Sequence, residues 1–224
     1  MNATIHDDTL IIYLSNIGLF IIRYVLLIMI ILGFIGNFFN ILVFHQPKLH
    51  SNPCSFYLTI ATYVNIVWIM TSPLSRILAT FQLDLSENIN ILCKIRQSLS
   101  YTFSSLSMIS IAFASVDRFL ISSSQVEYRQ LSSLHNAHCL IIITTFIYFL
   151  VFVDMFYCLN IIDKSPSITC TINTTRICGL YNEIARLIVL VFIPSMLILI
   201  FGYGTIQHIK KSRRMSEPPG NTIH

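Results

Sequence analysis

Apolar residues in this chain gather into five runs, and short polar stretches separate them. The runs cover residues 17–44, 55–78, 91–122, 138–160 and 184–209. Each is near or above the roughly 20 residues that a helix needs to cross a bilayer. The separators, His45–Pro53, Phe81–Asn90, Ser123–Ala137 and Ile161–Glu183, are polar or rich in turn-forming residues. Lipid satisfies no backbone N–H or C=O, so each run is predicted to be a helix packed on its neighbours. The connectors leave no room for a separate soluble domain. The pattern predicts an all-α membrane protein of five transmembrane helices. Residues 1–16 precede the first span, and residues 210–224 form a tail or the start of a further loop.

Composition agrees with the pattern. Of 224 residues, 54% are hydrophobic and 11% charged, and the mean hydropathy is +0.72. A soluble domain carries about a quarter charged residues, so this chain cannot cover its surface with charge. Charge also suggests an orientation. Lys210, Lys211, Arg213 and Arg214 follow the fifth run, and basic residues favour the cytoplasmic side. Five spans then place the N-terminus outside. Asn2 and Asn173, each in an N-x-S/T sequon, fall on that outer side, as do Asp7, Asp8, Asp84, Glu87, Asp163 and Glu183. Lys94, Arg96, Lys164 and Arg176 lie there too and weaken the signal. The expectation is a multi-pass plasma-membrane protein, extracellular at its N-terminus and glycosylated at Asn2 and Asn173. The first residues lack the basic start and cleavage site of a signal peptide, so the first span is expected to be an uncleaved anchor.

Several chemistries have no support. The chain carries no H-E-x-x-H, no G-x-S-x-G and no paired mid-span aspartates, and its seven histidines are scattered. No enzyme activity, cofactor or metal is predicted. A transporter, the rival from another class, would line a path with intramembrane acids, whereas Asp154 stands alone within the fourth run. The basic run beside a span reads as contact with membrane lipid and not with nucleic acid. The cysteines sort by side. Cys93, Cys158, Cys170 and Cys178 lie outside, where disulfides persist, and Cys54 and Cys139 inside, where thiols stay reduced. Cys158 and Cys139 read more readily as small buried hydrophobes.

The third run ends on an acid and an arginine, Asp117 and Arg118. Cys93 and Arg118 are 25 positions apart, which is about 37 Å of helix. One helix therefore carries a cysteine at one mouth and an ionisable pair at the other. Ionisable groups at the membrane are costly and tend to be functional. The bland alternative is an arginine that snorkels to lipid phosphate.

Several marks in register resemble the rhodopsin-like (class A) G-protein-coupled receptors. The first run carries "GFIGNFFNILVF", with Asn37 at the family's signature position. The second carries "ATYVN", where Asn65 stands at the family's acidic position, and Pro73 near its outer end. The third spans Cys93 to "DRF" (Asp117, Arg118, Phe119) at the family's spacing, with Ser107 at a polar position of the sodium pocket. The fifth has Pro194 at mid-membrane. "SVDRFLISSSQVEYRQLSS" and "IPSMLILIFGYGTIQHIKK" look like invertebrate orphan receptors related to neuropeptide receptors. The resemblance covers about residues 30–214.

The resemblance implies an extracellular ligand, with a neuropeptide among the candidates, and a heterotrimeric G protein as partners. Asp117 would latch Arg118, which swings to the C-terminal helix of Gα on activation. Pro73 and Pro194 would kink their helices. Cys93 would bond to the loop before the fifth span, with Cys170 preferred, Cys178 the alternative, and a Cys170–Cys178 bridge a third arrangement. An amine receptor would need an acid seven residues after Cys93. Ser100 stands there, so the implied ligand is a peptide or another non-amine. The loop Ile161–Tyr181 is long enough for a hairpin lid, which Tyr101, Arg96, Arg176 and Glu183 would face, and the candidate ligand residues are Arg96, Ser100, Tyr101 and Glu183. Departures are Phe119 for tyrosine, the amide of Asn65 (weak sodium affinity is expected) and a chain that stops after five of the family's seven spans. The expectation is a receptor incomplete as it stands: a fragment, a truncated gene model or a short isoform. A truncated, non-signalling receptor partner and an unrelated multi-span transporter are the alternatives.

Overall fold

The computed structural model describes residues 2–47, 49, 52–81, 83, 89–123, 125–164, 167–172 and 176–216; for residues 2–9, 11, 12, 15, 160–164, 167–172, 176 and 213–216 the description is of the backbone alone. Among the described residues, five helical segments are long and apolar enough to cross a membrane: Asn16–Phe44, Pro53–Thr80, Asn90–Ser122, Leu134–Cys158 and Ile177–Ser212. The protein is thus an all-α chain of five candidate spans, with one small hairpin between the fourth and fifth.

Local signals account for some of the element boundaries. Helix α1 runs Asn2–Phe44. Helix α2, Pro53–Thr71, starts where Asn52 caps it, its Oδ1 accepting from the Cys54 backbone N–H at 3.0 Å. Pro53 fits the first turn because it has no N–H to leave unpaired. The second span breaks at Ser72, and α3, Pro73–Thr80, continues it with Pro73 at its N-terminus. Helix α4 is Asn90–Ser122. A short α5, Val126–Leu131, follows, then α6, Leu134–Val151, capped by Ser133 Oγ accepting from Asn136 N at 3.3 Å.

The fourth run is not one helix to residue 160. It loosens into turns at Phe152–Asp154, regains one turn as α7, Met155–Cys158, and passes into a hairpin. Strands β1, Leu159–Lys164, and β2, Ser167–Ile172, pair antiparallel with Ile161 opposite Cys170. Helix α8, Arg176–Arg186, then starts the fifth span earlier than the apolar run does, and a π-helical stretch, Leu187–Phe192, leads into α9, Ile193–Ser216. The wide stretch has a cause one residue on. Pro194 has no N–H to give and its ring crowds the carbonyl four residues back. One extra residue in the turn relieves this: Ile193 N–H donates to Ile188 O.

Helix α4 is the hub. It packs on the second, fourth and fifth spans, and half of its most apolar window is buried, against 6% for the first span. Its buried face is built from small residues, among them Ser98, Ser105, Ser107, Ser110, Ala112 and Ala114. Small side chains let helix backbones approach where lipid supplies no hydrophobic drive for association. Several hydroxyls on this face are satisfied close by: Ser110 donates to Leu106 O at 2.6 Å, Thr102 to Ser98 O at 2.9 Å, and Ser98 to Phe152 O on the fourth span at 3.1 Å, whereas Ser105 Oγ is buried without a partner. The first span is pinned by its single charge. Arg23 donates to Thr80 Oγ1 at 3.0 Å and to Thr80 O at 2.7 Å, and its guanidinium lies 4.6 Å from the Phe81 ring centroid.

Candidate functional site

The triplet Asp117-Arg118-Phe119 occupies the last turns of α4. Successive residues on an α-helix point about 100° apart, so the three side chains leave in three directions. Asp117 is 3% exposed. Its Oδ1 accepts from Ser132 Oγ at 2.5 Å, which ties α4 to the link between α5 and α6. Its other oxygen is buried with no hydrogen-bond partner. Arg118 is exposed, and its Nε–H donates to Cys54 Sγ at 3.0 Å, in the first turn of α2. Phe119 lies against α9, its ring 5.2 Å from Phe201 and 4.9 Å from His208, centroid to centroid. Gly204 makes that possible, since a Cβ there would stand 2.7 Å from the Phe119 ring.

The expected ion-pair latch between Asp117 and Arg118 is not what the structure holds. The acid is held by a serine and the arginine by a thiol, because neighbours in a helix do not face each other. Neither Ser132 nor Cys54 could be singled out from sequence. They lie 15 and 64 positions from their partners, and nothing local marks them.

At mid-bundle, Ser107 Oγ donates to Asn65 Oδ1 at 2.7 Å and joins the second and third spans. Asn37 does not join them. Its amide donates back to Gly33 O at 2.7 Å on its own helix.

At the hairpin end, Cys93 is fully buried and disulfide-bonded. The side chain of Cys170, its preferred partner, lies outside the described residues. Cys178, the alternative partner, is bonded instead to Cys158, with 5.9 Å between the Cα atoms. That corrects the reading of Cys158 as a packed thiol. The bond closes the base of the hairpin, where the end of α7 meets α8. Asn182, buried on α8, donates to Cys178 O at 3.0 Å.

The four candidate ligand residues do not form one wall. Arg96 donates to Ser75 Oγ at 2.9 Å, toward the second span, and Ser100 is buried. Tyr101 and Glu183 are brought together by Arg186, which pairs with Glu183, donates to Tyr101 Oη at 3.4 Å and lies 5.8 Å from that ring. Tyr101 in turn stacks on Phe152 at 5.7 Å. Arg186 was missed in the sequence, although its place three residues after Glu183 on a helix was a signal. Pro73 and Pro194 both sit at irregularities of their spans, as described above. The glycosylation candidates, Asn173 and the side chain of Asn2, lie outside the described residues. Among the described residues no three His, Cys, Asp or Glu side chains are grouped to hold a metal ion.

No protein-family model matches the chain, and no curated protein sequence matches it.

Proposed function

We propose that the chain is a rhodopsin-like receptor that transmits the binding of an extracellular peptide, or another non-amine ligand, to a heterotrimeric G protein. The reading places it in the plasma membrane with the hairpin end outside and the basic end in the cytoplasm. The observation that carries the proposal is one helix with two specialised ends. Helix α4 has a disulfide-bonded cysteine at one end, and 25 positions on it has a triplet that engages three separate elements. A shift of α4 at the hairpin end would disturb all three contacts at the other. Arg118 suits a switch because its partner is weak: sulfur is a poor acceptor, and the guanidinium is exposed. Stronger acceptors on a docking Gα helix would outcompete Cys54. Asp117 has a separate task, holding the α5 link through Ser132 while the receptor is off.

The test is nucleotide exchange on Gα in membranes, with the chain supplied with two further spans from a related receptor's C-terminal half. Arg118→Ala is expected to lower ligand-stimulated exchange more than tenfold while surface expression stays near parental. Asp117→Asn and Ser132→Ala should each raise basal exchange, since both loosen the same link. Parental coupling by Arg118→Ala would reduce the arginine to a membrane anchor and overturn the reading.

A further inference from the structure

At the basic end of the bundle a cleft of about 550 Å³ opens between the end of α4, the short α5 and the last turns of α9. Its two halves differ in chemistry. Phe119, Leu120 and Phe201 form an apolar part that lies within the candidate spans. Gln125, Tyr128 and Lys211 stand at the rim, exposed and beyond or at the span ends. The rim offers an amide, a phenol and an ammonium as donors. No aspartate or glutamate lines the cleft, and Lys211 makes no ion pair among the described residues. Lys210, Arg213 and Arg214 extend the positive charge along the chain.

We propose that this cleft is a binding site for an anionic phospholipid. The rim would take the phosphodiester and its acidic headgroup, and the apolar part the upper acyl chain. Charge complementarity selects the anion, because an acid-free rim with an unneutralised lysine attracts negative charge and disfavours the choline cation of a zwitterionic lipid. The apolar half selects a lipid over a soluble anion, which would use the rim alone. The spacing of headgroup and acyl chain in one molecule matches a cleft that is polar at the membrane surface and apolar beneath it. A basic group in contact with an acidic headgroup contributes about fivefold in affinity, and of the lysines and arginines here only Lys211 lines the cleft. A cleft adds what a diffuse basic film lacks: dependence on shape. Phe119 belongs both to this cleft and to the proposed switch, but lipid binding by the chain is measured without a G protein, so the two readings can fail separately.

The test uses the purified full chain in detergent, with fluorescent dioctanoyl phosphatidylserine as the probe and the matching phosphatidylcholine as reference, read by anisotropy. The acidic lipid is expected to bind at least tenfold more tightly. Lys211→Ala should weaken it about fivefold and leave phosphatidylcholine unchanged, and Lys211→Arg should restore it. Gln125→Trp keeps every charge but fills the rim, and should weaken the acidic lipid at least as much. Lys210→Ala removes a charge outside the cleft and should cost less than twofold. All four substitutions fall on exposed positions, where folding is tolerant. Equal binding of the two lipids overturns the proposal. So does parental binding by Gln125→Trp, or a Lys210→Ala loss as large as that of Lys211→Ala, because either result describes a film of charge and not a cleft.

Discussion

Gly202 and Gly204 stand one turn-half apart on α9, yet the same substitution should act on them with opposite sign. A Cβ on Gly202 meets nothing within 4 Å, while one on Gly204 falls 2.7 and 2.8 Å from two ring atoms of Phe119. Alanine gains about 1 kcal/mol over glycine in a helix interior, and overpacking costs about 1–3 kcal/mol. Gly202→Ala is therefore expected to raise thermal stability in detergent. Gly204→Ala should lower it by up to about 2 kcal/mol, the clash less the helical gain. In a Phe119→Ala background the clash disappears and Gly204→Ala should become stabilising. Thermal unfolding of the four proteins forms a double-mutant cycle; a coupling near zero would mean that Phe119 does not pack on α9. A similar close approach occurs at Gly33, where a Cβ would stand 2.8 Å from Ile69 Cδ1 and that terminal methyl would have to shift.

Among the elements, the hairpin and its disulfide depart furthest from a run of helices. The Cys158–Cys178 bond spans 20 residues and ties the end of the fourth span to the start of the fifth. Closing a loop of that size removes about 3 kcal/mol worth of unfolded-state freedom. Non-reducing peptide mapping is expected to recover Cys158 and Cys178 in one linked pair. Cys178→Ser should expose Cys158 as a free thiol and leave Cys93 protected from alkylation. A Cys93–Cys178 peptide would refute this connectivity. The bond also explains why α8 can begin before the apolar run does. Its first turns are anchored to the fourth span by that covalent link, so they need no lipid-facing apolar surface to hold them in place.

For the whole molecule, the distribution of burial says where the solvent is lipid. The first span presents Phe20, Leu32, Phe38 and Phe39, each at least 58% exposed, a surface that water would not tolerate over such a length. We expect the basic end to face the cytoplasm, by the cluster after α9. A glycosylation reporter fused after His224 and translated into microsomes should stay unmodified. Its glycosylation would invert the bundle and move the proposed lipid site to the opposite leaflet, without altering the packing around α4.

The number and rough limits of the five spans were legible in the sequence because transfer into lipid is a local quantity, summed over about 20 consecutive side chains. The helix starts fell outside the apolar runs, which begin at 55 and 138, because the capping residues, Asn52 with Pro53 and Ser133, are polar or turn-forming and open helices at Pro53 and Leu134. The resemblance that singled out Asn65 and Ser107 named two residues that do meet, yet the residues alone did not say that Asn37 would turn away. Pairings between distant positions were not legible. Four outer cysteines admit three complete pairings, and only folding put Cys178 beside Cys158. The triplet shows the limit most plainly. Sequence set the acid beside the arginine, but a helix rotates each residue about 100° from the last. Tertiary structure therefore gave Asp117 to Ser132, Arg118 to Cys54 and Phe119 to the space left by Gly204.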